Sequence, residues 1–157
     1  MHTSILPPLA AGLLLLALNG ISAARADDIP ELRLMAATEL KANAGGHFVT
    51  RASINGNDIT ELVDTGATAV ALSFEDARDA GLRPGHLDFN VPVATANGVA
   101  RAARVMIDRI AVGSVEVDNV DGLVLPEGAL RGTLLGMSFL SRLRSFRVED
   151  GILYLKD

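Results

Sequence analysis

Asp64 sits at the end of an apolar run, Leu62-Val63, and is followed at once by Thr65, Gly66 and Ala67. A carboxylate that emerges from an apolar strand is costly to bury unless it has partners. Thr65 offers a hydroxyl. Gly66, with no Cβ, lets backbone amides come close. An acid held in this way suits proton transfer to and from a reacting group. Chemistry by paired carboxylates needs two such acids, and the Asp-Thr-Gly triplet occurs once in the 157 residues. By itself the triplet also fits a plain turn after a strand, where Asp and Gly are common.

The elements around this triplet read mainly as β. Residues 48–54 and 59–63 are short apolar-rich runs joined by Asn55-Gly56, a strong hairpin signal. Residues 70–72 form another short strand. Ser73 then caps a short helix over residues 74–80, with Asp76 three places on and Gly81 as its stop. The acidic pair Glu75-Asp76 in its first turn suits the helix dipole and is assigned no chemistry. A second Asn-Gly, Asn97-Gly98, joins residues 91–95 to 99–107 in a long hairpin. Residues 110–112, 115–120 and 123–125 read as further short strands, with turns at Gly113-Ser114 and Asp121-Gly122. Leu134-Leu135-Gly136 leads into a short helix over residues 137–143. A third hairpin turns at Asp150-Gly151. Many short strands at regular spacing predict a barrel or sandwich.

The N-terminal part is of another kind. Residues 9–18 are almost entirely Leu and Ala, too short to span a bilayer but matching the core of a secretory signal. Ala24-Arg25-Ala26 reads as the cleavage site, so residues 1–26 are expected to be a signal peptide. Uncleaved, residues 5–24 are just long enough for a retained anchor. Export to the periplasm, or anchoring at the membrane facing it, is the expected location. Residues 27–46 read as a linker or N-terminal arm, with a short helix over 31–41, and residues 47–157 as the main domain.

Composition narrows the function. The net charge is −5, from 14 basic and 19 acidic residues. That argues against nucleic acid as a partner, and membrane contact is expected only if the N-terminal segment stays uncleaved. There is no cysteine, which excludes Cys-ligated zinc. The histidines are His2, His47 and His86. Two scattered histidines outside the signal argue against a His-based metal site or a Ser-His-Asp triad. No metal and no cofactor is expected.

Four features in this order resemble the retropepsin-like aspartic proteases, of the bacterial exported type. Leu62-Val63-Asp64-Thr65-Gly66-Ala67 is similar to the catalytic loop. Val70-Ala71-Leu72-Ser73 and its helix are similar to the segment that follows. Ala94-Thr95-Ala96-Asn97-Gly98 falls where the flap hairpin belongs. Leu134-Leu135-Gly136 is similar to the element through which the catalytic loop passes. The resemblance covers residues 47–157. It implies a mostly β fold, a closed barrel of the acid-protease half-fold kind with one or two short helices. It implies a homodimer that hydrolyses peptide bonds in a protein or peptide substrate, with one Asp64 per copy as the catalytic acid. Thr65, Gly66 and Ala67 would support the site, with Thr65 tying the two loops together. Thr95, Asn97 and Gly98 would belong to the substrate-binding flap. Leu134, Leu135 and Gly136 would hold the loop. Viral members carry an acid and an arginine where this chain has Thr68 and Met137, and both members of that ion pair are missing together. The alternative is a binding or regulatory domain that keeps the fold and does no proteolysis.

Overall fold

The computed structural model describes residues 36–95 and 98–157, all within one compact unit. The signal or anchor at residues 1–26, the start of the arm and Asn97 lie outside the described residues.

The first hairpin pairs β2 (Val49–Ile54) with β3 (Asn57–Val63). Asn55 and Gly56 turn it with φ of 51° and 85°. Two successive left-handed residues give the tight turn that matches strand twist, which explains the Asn-Gly. β4 (Val70–Leu72) follows. Ser73 then caps α1 (Phe74–Asp79), its Oγ accepting from the Asp76 amide at 3.0 Å. β5 (Val91–Thr95) and β6 (Gly98–Val112) form the second hairpin. β7 (Val115–Val124), β8 (Thr133–Leu135) and α2 (Met137–Leu140) complete the body.

The strands run β2-β3-β8-β4-β7-β6, and β6 returns to β2 through Ser53↔Ala111 and Ile54↔Ile110. This closes a six-stranded barrel with two short helices. β5 pairs only with β6, so the hairpin projects from the barrel. Ile54, Leu72, Ile107, Ile110, Leu135 and others point inward, the inward phase of β6 shifting by one residue at Asp108-Arg109, with Phe139 of α2 the largest fully buried side chain among the described residues.

Three expectations are corrected. β6 is one strand through residue 112, where the sequence suggested a stop after Ile107. β7 likewise runs unbroken through Asp121-Gly122, where a turn was expected. The two strands pair from Ala103↔Val124 to Val112↔Val115; the pairing skips Asp108 and Asn119, with Asn119 at φ of 53°, and Asp108, Arg109, Asp118 and Asn119 are all exposed. Gly122 is a packing glycine: a Cβ there would sit 2.8 Å from Ile107 Cδ1. The helix expected over residues 31–41 is absent from its described part. Ala37–Lys41 is β1, which pairs with β10 (Ile152–Lys156). That partner is remote in sequence, so local pattern gave no sign of it. β9 (Ser145–Glu149) completes this small sheet, in the order β1-β10-β9.

Candidate active site

β3 lies parallel to β8, with Leu62↔Leu134 and Val63↔Leu135 in register. Asp64 is the next residue, and its amide donates to the Leu135 carbonyl at 3.1 Å. The chain then turns on the Asp64 side chain. The Gly66 amide donates to Asp64 Oδ1 at 2.8 Å, and the Ala67 amide to the Asp64 carbonyl at 3.2 Å. Among the described residues, no hydrogen bond engages Oδ2. One oxygen is therefore fixed by the loop and the other is left for a ligand.

α2 holds this loop from beneath. The Met137 amide donates to the Ala67 carbonyl at 2.8 Å. Ser138 Oγ accepts from the Val70 amide at 2.9 Å and donates to the Asp121 carbonyl at 2.6 Å. Gly136 permits the contact. A Cβ there would collide with the backbone of Ala69 and lie 2.8 Å from the Ala67 carbonyl oxygen. Gly136 has φ of −93°, so it is needed for closeness and not for its backbone angle.

Asp64 lines a cleft of about 940 Å³ together with residues 66–69, Pro92–Thr95 of β5, Leu123, Leu125, Leu134 and the loop residues 128–131. That volume suits a peptide segment. The cleft brings together Asp64, Gly66, Ala67, Thr95 and Leu134 among the residues singled out from sequence. Leu135 is fully buried below. Thr95 Oγ1 donates to the Gly98 carbonyl at 2.8 Å, so these two close the hairpin turn, and Gly98 does not line the cleft. Thr65 is exposed. It lines a second groove of about 420 Å³ with Asp64, Phe48, Val63, Phe146, Arg147, Val148 and Leu153.

Sequence reasoning passed over Glu61. It is 1% exposed, and neither carboxylate oxygen has a hydrogen-bond partner among the described residues. Burial, and then the nearby charge of Asp76, push its carboxyl up to about 8. The Asp76 carboxylate itself accepts from the Thr133 hydroxyl at 2.8 Å. The signal was present in the sequence: Ile59, Glu61 and Val63 alternate on one face of β3, and an acid stands where an apolar residue belongs. Ser138 and residues 128–131 were also passed over, because only the fold brings them to the loop and the cleft.

A family model described as "gag-polyprotein putative aspartyl protease" matches residues 50–142. A crystal structure of a retropepsin-like aspartic protease from Rickettsia conorii is 34% identical, with a TM-score of 0.70, over 78% of this chain and 91% of that one. This chain belongs to the retropepsin-like aspartic protease family. EIAV protease, in complex with an inhibitor, shares the fold at 20% identity and a TM-score of 0.56, over 70% of this chain and all (100%) of that one. An uncharacterized Sinorhizobium protein from a cobV 5' region is 42% identical over 89% of this chain, which spans 60% of that relative's length.

Proposed function

We propose that the chain is an aspartic endopeptidase that acts as a homodimer, with one Asp64 from each copy. The observation that carries this reading is the Asp64 carboxylate, with one oxygen tied to the Gly66 amide and the other unengaged, lining a cleft of peptide-binding size. Family membership supports the chemistry. The pairing follows from the count, because the chain has one Asp-Thr-Gly and the reaction needs two acids.

Two carboxylates that face each other share a proton. The ionised one takes a proton from a water molecule as its oxygen attacks the peptide carbonyl carbon. The protonated one gives its proton to the carbonyl oxygen, so the intermediate forms without a free oxyanion. Collapse restores the carbonyl, breaks the C–N bond and returns a proton to the leaving nitrogen. Thr65, exposed beside Asp64, would bond the partner's loop. The β5–β6 hairpin covers the substrate.

Asp64→Asn should lower cleavage of a peptide substrate by about a thousandfold or more, with an unchanged circular dichroism spectrum. The loop is held mainly by backbone bonds and by Ser138, which the substitution leaves in place. Cleavage at the wild-type rate would sink the reading.

A further inference from the structure

Apart from Asp64, the described residues that line the cleft include a single charged one, Arg131. The rest of the lining is small or apolar, with Val93, Leu125, Leu130 and Leu134 the main bulk and Thr68 and Thr95 as hydroxyls. Arg131 belongs to the loop between β7 and β8. It is exposed, and it pairs with no carboxylate among the described residues. Glu127 of the same loop is exposed too but does not line the cleft. The guanidinium is therefore left without a counter-charge at a site where a bound peptide would replace water.

We propose that Arg131 is a specificity-determining residue, which selects peptides carrying an acidic side chain close to the cleaved bond. A guanidinium meets a carboxylate with two parallel hydrogen bonds, which gives direction as well as attraction. Covering by the peptide and the hairpin lowers the local dielectric and strengthens the pair. A lysine or arginine at the same substrate position is repelled. The apolar lining fixes the remaining preference, for aliphatic side chains. The chain as a whole is acidic, at −5, so long-range attraction does not favour an acidic peptide. The selection is local to Arg131 and weakens with added salt. It rests on the protease reading, and in a two-fold dimer each side of the cut bond meets one Arg131.

The test uses a set of octapeptides built on a Leu/Val/Ala scaffold, with Glu, Gln or Lys at one position on either side of the central bond. Cleavage is measured as kcat/KM for the wild type, Arg131→Gln and Arg131→Glu. Binding of the same peptides to the Asp64→Asn chain, with and without the Arg131 changes, is measured by fluorescence anisotropy. The wild type should favour Glu over Lys by about three- to tenfold. Arg131→Gln should level the series, and Arg131→Glu should reverse it. The comparison within the wild type needs no variant to fold. Equal treatment of Glu and Lys peptides, or an order unchanged by Arg131→Glu, would overturn the inference while leaving the protease reading intact. Binding that favours Glu through Arg131, with no cleavage of any peptide, would keep Arg131 as the selector of acidic peptides in this cleft and remove the protease reading. Neither binding nor cleavage would remove both.

Discussion

Glu61 puts an ionisable group three residues ahead of Asp64, on the strand that leads into it, with no partner for either oxygen among the described residues. Its carboxyl lies at about 8 in the folded chain, against 4.5 for an ordinary glutamate. The native state keeps this proton through a range in which the unfolded chain has lost it. The contribution to stability is therefore complete below about pH 4.5 and drains away as pH rises towards about 8. At one pKa unit per roughly 1.4 kcal/mol, the loss amounts to a few kcal/mol. Chemical denaturation at pH 4.5, 6 and 8 should show the wild type weakening with pH, and Glu61→Gln should flatten that slope. Parallel slopes would mean that Glu61 finds a partner when ionised. Asp64 was legible in the sequence because its loop is made from its own neighbours: the carboxylate, the Gly66 amide and the Ala67 amide lie within four residues. Glu61 was visible only as a break in alternation. Its meaning depends on α1, which brings Asp76, and on β8, which brings Thr133.

At the scale of elements, the hairpins at Asn55-Gly56 and Asp150-Gly151 were readable because each turn fixes both of its own strands. The β6–β7 ladder was harder. Its polar interruptions look like turns until each is set against its cross-strand partner, as with Arg109 and Asp118, 2.6 Å apart. β1 could not be read at all, since what makes it a strand is β10. The most demanding contact between elements is that of Gly136 with the loop at residues 67–69. Gly136→Ala should destabilise the chain by about 1–3 kcal/mol through overpacking, and should lower peptide cleavage as the loop is pushed off α2. Gly85→Ala is the comparison. A Cβ there meets nothing within 4 Å, and it should change the melting temperature little. Equal effects of the two substitutions would show that the approach at Gly136 relaxes without cost.

For the whole molecule, the proposed homodimer makes activity a property of concentration. Specific activity should fall on dilution by mass action. Excess Asp64→Asn chain should inhibit the wild type, because each mixed dimer has one working carboxylate. A constant specific activity without inhibition, together with a monomer in analytical ultracentrifugation, would exclude the shared site. The groove beside Thr65, with Phe48, Val63 and Phe146, is an apolar surface next to Asp64 that the proposed second copy would cover. Val148 on β9, 60% exposed, extends it. The closed barrel was foreseen from the resemblance, while strand spacing alone left a barrel or a sandwich. Which strands close it, β2 and β6 through two residue pairs, was not readable, since nothing local to either strand announces the contact.

The pairing of β1 with β10 also has a consequence in time. Ala37 meets Lys156, so residues near the start of the described chain wait for residues near its close. A nascent chain emerging from the ribosome carries Asp64 and its whole loop long before residues 152–156 are made. Contacts so distant in sequence form slowly, because the intervening chain must first be gathered. The groove that flanks Asp64 and Thr65 draws Phe146 and Val148 from β9 and Leu153 from β10. The order of synthesis thus keeps that flank incomplete until residues 146–153 are made, and a chain cut short before β9 carries the acid with only the Phe48 and Val63 side of that groove.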